Sequence, residues 1–423
     1  MEFEYSAKVR DLQGRLREFM EDHVEPRMSQ WRQEVRAGTY PVSFMADLKA
    51  LAREEGLWNL FLPGLRDDEP GTRLSNLEYA PLAEIMGRVP WASEVFNCSA
   101  PDTGNMELLH LFATPEQRER WLLPLLNGEI RSAFAMTEPD VAFSDATNIQ
   151  TRIERDGDAY VINGRKWFIT NASHPDCRLF ILMGKTDPDG EDRHRQQSMV
   201  LVPMDAPGVQ VLRNIPCLNH VSPEGHSEVL FRDVRVPSGN LLGAEGDGFM
   251  MAQARLGPGR IHHCMRAIGM AELCLELMVA RSRERKTFGR HLYQHGPVAE
   301  WIARSRIGIE QARLLVLKTA ALMDGGGVRA ARKEISMIKV IAAGLLTEVA
   351  DRAIQVFGAT GLSPDTPLAD LYTAGRALRF ADGPDEVHLQ TIARLEAREQ
   401  KDRLMAVARY LEPLVAEPKG EAR

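Results

Sequence analysis

The sequence predicts an α+β protein in which an N-terminal helical domain, a middle β-barrel domain and a C-terminal helical bundle follow one another. Apolar side chains recur at helical spacing in the first segment, alternate with a period of two from about residue 132, and return to helical spacing after Gly246. We therefore expect domains at 1–131, 132–243 and 244–423. No GxGxxG motif follows a predicted strand, so a doubly wound dinucleotide fold is not expected.

Composition limits the classes of function. The 423 residues are 44% hydrophobic, which is enough for two or three packed domains. The 52 basic and 59 acidic residues are well mixed and give a net charge of −7, so no nucleic-acid partner is expected. Five scattered cysteines without a CxxC pair favour a reducing compartment. No signal segment, peroxisomal address or membrane-spanning run is recognisable, so we expect a cytoplasmic protein.

The first domain reads as helices. The apolar stripe from Val9 to Phe19 forms one face of a helix that Pro26 is expected to end. Thr114-Pro115-Glu116-Gln117 predicts the start of another helix, because Thr can cap it and Gln can reach back to the cap amide. Gly128 stands where that helix should stop.

The middle domain reads as short strands. Tyr160–Ile162 and Trp167–Ile169 flank Asn163–Gly164, a dipeptide that predicts a tight hairpin turn. Further strands are predicted at Leu179–Leu182, Met199–Val202 and Glu228–Phe231. Short apolar strands separated by Pro, Gly and charged loops are typical of a barrel or sandwich.

The last domain reads as long helices near 247–282, 297–323, 330–357 and 386–410. Gly325–Gly327 should break the chain between two of them. Such helices suit a bundle.

Four motifs occur in order over most of the chain. They are Phe134-Ala135-Met136-Thr137-Glu138-Pro139 leading to Arg165–Asn171, Glu284-Arg285-Lys286-Thr287-Phe288-Gly289, Gln355–Gly361, and Asp382-Gly383-Pro384. Together they resemble the acyl-CoA dehydrogenase family of flavoenzymes. The resemblance implies FAD as cofactor, an acyl-CoA substrate, an electron-transferring flavoprotein as redox partner, a homodimer or homotetramer, and a role in fatty acid β-oxidation.

The resemblance assigns Phe134, Met136 and Thr137 to the flavin, with amides and the Thr137 hydroxyl donating to the pyrimidine edge. Ser144 is assigned to the cleft between cofactor and thioester. Taken alone, Met136–Pro139 is equally compatible with a helix cap or a strand end.

The strand Phe168-Ile169-Thr170 is assigned to the flavin ring, with Phe168 covering its plane and Thr170 near N5. Many family members carry Trp at the position of Phe168. Phe keeps the stacking face and lacks the indole donor.

Arg285 and Phe288 are assigned to the flavin pyrophosphate and adenine across a subunit boundary, where a guanidinium fork suits a diphosphate. Gln355 and Gly358 would close the same diphosphate from the partner chain, so a monomer should not hold the cofactor properly. A solvated basic helix end explains Arg281 and Arg283.

Asp382 matches the position at which most family members carry a glutamate base. An unpaired, shielded carboxylate there should have a raised pKa and remove the α-proton while the β-hydrogen leaves as hydride to flavin N5. The amide of Gly383 would polarise the thioester carbonyl, and Pro384 and Glu386 are assigned to the cofactor side of this loop. Helix capping by Asp382 or Asp385 is an alternative. A metal site from Asp382, Asp385, Glu386 and His388 is a remote one, and no metal is expected.

Gly257 and Arg260 match a substrate-contacting Asp and Arg of the family, with Gly257 departing from the pattern. Asp at the base position resembles the subgroup that includes a mammalian dehydrogenase of longer and 4-hydroxylated acyl-CoAs. His262 and His263 read as helix-packing residues, although one could face a polar group on the acyl chain.

The expected reaction is FAD-dependent conversion of an acyl-CoA to the trans-2-enoyl-CoA. Two alternatives remain open from the sequence. One is a nitroalkane-oxidase-like or oxygen-using flavoprotein, since Asp can deprotonate other carbon acids. The other is a non-catalytic acyl-CoA-binding subunit.

Overall fold

The first part of the chain is helical, as predicted. The computed structural model describes residues 4–218, 222–403, 406–407 and 410. Its first helices are α1 (Ala7–Phe19), α2 (Met28–Arg36), α3 (Met45–Glu54), α4 (Asn76–Gly87), α5 (Ala92–Val95), α6 (Asp102–Phe112), α7 (Pro115–Gln117) and α8 (Leu123–Leu126). The predicted capping box of Thr114 and Gln117 is confirmed. Gly128, at φ +65°, follows α8 as expected.

The predicted stop at Pro26 is wrong. A π-helical turn at Met20–Val24 and a 3-10 turn at Glu25–Arg27 carry the helical backbone past Pro26 into α2. Proline is tolerated in the first turn of a new helical segment, because no amide donor is needed there.

The middle of the chain forms one sheet of eight strands. They are β1 (Arg131–Ala135), β2 (Arg152–Asp156), β3 (Ala159–Thr170), β4 (Cys177–Lys185), β5 (Gln197–Pro203), β6 (Val209–Asn214), β7 (His226–Pro237) and β8 (Leu241–Leu242). The strand order is β6-β7-β3-β2-β4-β5-β8, and β1 pairs in parallel with β4. Among the described residues β6 and β8 do not pair, so the expected barrel is an open sheet.

The predicted hairpin at Asn163–Gly164 is also wrong, because β3 runs straight through that dipeptide. A Cβ on Gly164 would lie 2.2 Å from Thr151 Oγ1, so the glycine serves close packing rather than a turn. The turn lies instead between β2 and β3, where Gly157 has φ +63°.

Long helices complete the chain, as predicted. They are α9 (Gly248–Glu284), α10 (Gly296–Ala330), α11 (Arg332–Phe357), α12 (Leu368–Leu378) and α13 (Asp385–Glu399), with a small hairpin of β9 (Lys286–Thr287) and β10 (Arg290–His291) after α9. The expected break falls at Gly327, which has φ +70° at the end of α10. None of the helices in the described part of the chain has the length and apolar character to cross a bilayer.

The sheet separates two apolar cores. Leu179, Ile181 and Met183 of β4 join the core shared with the helices, whereas the alternate residues Phe180 and Leu182 belong to a second core inside the β domain. This alternation follows from the two-residue period of a strand. One face of the sheet therefore packs against the helical bundle.

Helices α4 and α9 cross at two glycines that approach the opposite backbone. A Cβ on Gly269 of α9 would lie 1.9 Å from the Glu84 carbonyl oxygen, and one on Gly87 of α4 would lie 2.3 Å from the Arg266 carbonyl oxygen. Any side chain at this crossing must push the two helices apart.

We expect Gly269→Ala to lower the free energy of unfolding by roughly 1–3 kcal/mol, the usual cost of overpacking a core. Urea unfolding followed by circular dichroism measures it. The control is Gly14→Ala in α1, where a Cβ meets nothing within 4 Å. Relief of the glycine helix penalty should make that variant up to about 1 kcal/mol more stable. Equal stability of the two variants would contradict the tight crossing.

Candidate active site

The loop between α12 and α13 is fixed by side chains that hydrogen-bond to its backbone carbonyls. Asp382 and Gly383 have φ of +56° and +108°, two left-handed residues in a row. Arg260 Nε donates to the Asp382 carbonyl at 2.9 Å, and His388 Nε2 lies 3.3 Å from the same oxygen. Lys339 Nζ donates to the Gly383 carbonyl at 3.3 Å. Side chains from α9, α11 and α13 therefore fix this turn.

The Asp382 carboxylate points inward. Its side chain is 17% exposed, and Oδ2 lies 3.7 Å from His263 Nε2. Burial raises the pKa of Asp382, but His263, Arg255, Arg260 and Lys339 together outweigh burial and hold the pKa below its usual value. The carboxylate is therefore not the unpaired group that was expected, and its pKa is lowered rather than raised, because Arg255, Arg260 and Lys339 supply positive charge around it.

Neither alternative role proposed for this acidic loop is present. Pro384 occupies the N-cap of α13, and no side chain caps that helix. Asp385 Oδ2 accepts a hydrogen bond from Arg379 Nε at 2.6 Å. Within the described ranges no three metal-ligating side chains converge. Glu386 is exposed in the first turn of α13.

The predicted role of the Gly383 amide requires correction. That N–H donates to the Phe380 carbonyl at 3.1 Å, within the turn itself. The amide of Asp382 has no acceptor among the described residues and is the one available to a ligand. Sequence alone could not separate these adjacent amides, because the difference lies in the φ angles of the turn.

The predicted flavin turn rests on a buried ion pair that sequence reasoning missed. Lys166 is fully buried, and its Nζ donates to the Met136 carbonyl and to Glu138 Oε1, each at 2.9 Å. Glu138 also accepts from the Thr151 amide at 2.9 Å. A lysine is rarely buried inside a strand without a charged or polar partner. Lys166, next to Trp167 in a predicted strand, was therefore the sequence feature that could have indicated a buried ion pair.

Strand β3 brings the other predicted flavin residues to the same turn. Thr137 Oγ1 donates to the Trp167 carbonyl at 2.6 Å, and the Trp167 amide donates to the Thr137 carbonyl at 3.1 Å. The hydroxyl proton that was predicted to reach the flavin pyrimidine edge is thus donated to the main chain instead. Phe168 has φ +51° at a bulge and keeps 42% of its surface exposed. The Thr170 hydroxyl lies 3.0 Å from His226 Nδ1. An aromatic face is thus presented beside the Met136–Thr137 turn.

Arg255 of α9 connects the two halves of the site and was also missed. Its guanidinium lies 3.9 Å from the centre of the Phe134 ring, and Nε donates to Asn105 Oδ1 at 2.9 Å. Its charge also contributes to the lowered pKa of Asp382. Arg255 therefore packs on the strand that leads to the predicted flavin turn, and its charge also acts on Asp382.

Gly257 packs against the chain rather than lining open space. A Cβ there would lie 2.6 Å from Val328 Cγ1. The Asp that many family members carry has no room at this position. The departure from the pattern follows from the close contact of α9 with the end of α10.

The remaining predicted site residues lie on the surface of the single chain. Phe288 is 94% exposed at the tip of the β9–β10 hairpin with φ +47°. Four others are likewise exposed: Ser144, Arg285, Gln355 and Gly358. Arg281 is not a solvated helix end as expected, because it packs over the Phe357 ring at 5.2 Å. The predicted diphosphate residues thus lie exposed on the surface of the single chain.

Comparisons with known proteins cover this whole architecture. The acyl-CoA dehydrogenase N-terminal, middle and C-terminal domain profiles match residues 6–129, 133–234 and 246–396. FadE2 of Mycobacterium tuberculosis is 53% identical over 96% of this chain and 99% of its own length.

Two further relatives agree with these matches. Acyl-CoA dehydrogenase family member 11 of Gallus gallus is 50% identical over 96% of this chain, which spans 52% of that relative's length. A structure of an acyl-CoA dehydrogenase from Mycobacterium abscessus superposes with a TM-score of 0.90 at 48% identity, covering 94% of this chain and 100% of that one. The chain belongs to the acyl-CoA dehydrogenase family of FAD-dependent oxidoreductases that act on CH–CH bonds.

Proposed function

We propose that this chain oxidises an acyl-CoA thioester to the trans-2-enoyl-CoA, with Asp382 removing the α-proton. The observation that carries the proposal is an inward-facing carboxylate, 17% exposed, on a turn whose carbonyl Arg260 and His388 hold. An ionised carboxylate can take a proton without first losing one. Family membership supports the reaction class, and the geometry supports Asp382 as its base.

The fixed backbone compensates for the short side chain. Aspartate reaches on the order of 1 Å less far than glutamate, and a misplacement of that size can cost about a hundredfold in rate. Arg260 and His388 hold the Asp382 carbonyl from opposite helices, which aims the side chain from a rigid turn. The base is thus positioned by its main chain.

The same turn offers a donor to the thioester. The Asp382 amide, which has no acceptor among the described residues, suits the carbonyl oxygen on which negative charge develops as the α-proton leaves. Arg255 supplies a buried positive charge nearby. Both groups stabilise the enolate-like transition state more than the neutral substrate.

The residues around Phe168 fit a flavin. Phe168 exposes an aromatic face at a bulge, beside the Met136–Thr137 turn that Lys166 and Glu138 fix. A planar ring with hydrogen-bonding edges matches that combination. The Met136–Thr137 turn and Phe168 would hold FAD there, and the cofactor would supply the acceptor for the β-hydrogen that leaves as a hydride equivalent.

We extend the proposal to the assembly. The 94% exposure of Phe288 and the exposed Arg285 suit a diphosphate site shared between subunits of a homodimer or homotetramer. Electrons would pass to an electron-transferring flavoprotein in fatty acid β-oxidation. All five cysteines are free thiols, which supports a reducing location such as the cytoplasm.

Asp382→Asn should abolish flavin reduction by acyl-CoA while FAD stays bound, because the amide cannot accept the α-proton. Asp382→Glu should be slower by up to about a hundredfold, since its carboxylate is displaced on the order of 1 Å. Anaerobic stopped-flow bleaching of the flavin measures both. Reduction of the Asn variant at the wild-type rate would remove Asp382 from the mechanism.

Arg285→Ala should weaken FAD binding by roughly tenfold to a hundredfold, as expected for a lost charge-assisted hydrogen bond. It should also weaken subunit association. FAD content after gel filtration and sedimentation velocity measure the two effects. Arg10→Ala, at another exposed arginine, is the control. Tight FAD in a stable monomer would contradict the shared site.

A further inference from the structure

We propose that His263 is a positioning residue that orients the Asp382 carboxylate through its Nε2–H, which leaves Oδ1 free to receive the α-proton. The inference rests on the proposed function of Asp382 as base. His263 lies on α9, one residue after the packed His262, and its Nε2 is 3.7 Å from Asp382 Oδ2. No family motif quoted above assigns a role to this position.

Arg266 fixes the tautomer of His263. The Arg266 guanidinium lies 3.3 Å from His263 Nδ1, and a guanidinium can only donate. Nδ1 must therefore accept, and the single proton of a neutral imidazole resides on Nε2. Arg266 is itself held, because it is 7% exposed and donates to the Cys98 carbonyl at 3.2 Å. The Nε2–H consequently faces Asp382.

The surroundings keep His263 neutral. Burial and then the charge of Arg266 lower the pKa of His263 to about 4, while Asp382 opposes them and Lys339 and Arg255 add to them. At neutral pH the side chain is therefore a neutral donor and Asp382 an ionised acceptor. A hydrogen bond to the charged form of a carboxylate lowers its pKa and fixes its rotation.

The adjacent histidine has no such role. His262 packs edge-on against the Tyr79 ring at 5.2 Å, and its Nε2 lies 3.9 Å from Glu107 Oε1 on α6. The two histidines leave α9 in different directions, which is why only one reaches the Asp382 loop. Sequence reasoning, which grouped them as packing residues, could not separate them.

The present separation is longer than a hydrogen bond. Contacts of this kind are often long without ligand and shorten in the substrate complex. The aspartate side chain is short, so a hydrogen bond to one carboxylate oxygen determines the position of the other oxygen.

Three substitutions separate positioning from packing. The amide nitrogen of His263→Gln extends about as far as Nε2, so it can still donate to Asp382. The amide of His263→Asn extends only about as far as Nδ1, and His263→Leu fills the volume without a donor. We expect the Asn and Leu variants to reduce flavin on the order of tenfold to a hundredfold more slowly, and Gln to stay within a few-fold of wild type.

The pH profile gives a second readout. Removal of the donor should raise the Asp382 pKa, so the acid limb of kcat/KM should move to higher pH in the Asn and Leu variants and stay in place in Gln. His194→Leu, on an exposed loop, is the control for histidine loss. FAD content and thermal unfolding of each variant show that it is folded. Wild-type rate and profile in the Leu variant, or equal losses in Gln and Leu, would overturn the inference.

Nitrogen-15 NMR of histidine-labelled protein tests the geometry without turnover. We expect one ring with Nε2 protonated and Nδ1 bare from pH 6 to 8, and its signals should vanish in His263→Gln. An Nδ1–H tautomer or an imidazolium at that position would overturn the inference whatever the activity. If acyl-CoA leaves wild-type flavin unreduced while the NMR result holds, the dehydrogenase proposal fails and the hydrogen-bond assignment stands.

Discussion

The hydrogen bonds to the Asp382 and Gly383 carbonyls are the constraint on which the site depends. Arg260, His388 and Lys339 come from three helices and meet at two adjacent peptide oxygens. They stabilise a pair of left-handed residues that a free loop would rarely adopt. Two of these side chains, Arg260 and Lys339, also lower the pKa of the carboxylate. They therefore act on both the conformation of the turn and the protonation of Asp382.

A second set of buried charges joins the β domain to the helices. Lys166 and Glu138 lock the turn after β1, and Arg255 spans from the Phe134 ring to Asn105 on α6. Removing one partner of such a pair would leave an uncompensated buried charge, which costs about 3–5 kcal/mol. The position of the Met136–Thr137 turn and of Phe134 relative to α6 and α9 is thus maintained by electrostatics as well as by apolar packing.

Sequence patterns predicted the order of the secondary structure well, because periodicity reports which face of an element is buried. They failed where a small residue had two uses. Gly164 read as a turn and is a close contact with Thr151, and Pro26 read as a stop and lies inside a helical run. The Gly164 contact depends on a residue outside the dipeptide, whereas Pro26 is accommodated because a new helical segment begins there.

Some residues of the candidate site could likewise be predicted from the sequence, and others could not. Asp382, Thr137 and Phe168 were recognisable because each lies in a short motif whose residues are adjacent in the sequence. Lys166, Arg255 and His263 act on partners 17 or more positions away, for example Lys166 on Met183. The sequence predicted a raised pKa for Asp382, because the cationic groups that lower it are brought together only by the fold.

The paired glycines where α4 crosses α9 have one more consequence. Main chains in direct contact, with Gly269 against Glu84 and Gly87 against Arg266, leave no compressible layer between the N-terminal helices and the helix that carries Arg260 and His263. Such a joint resists sliding. The shape of the cleft can therefore change through substitution of individual side chains along the helices. A shift of the whole helix would also move Asp382, the proposed base, through its contact with Arg260.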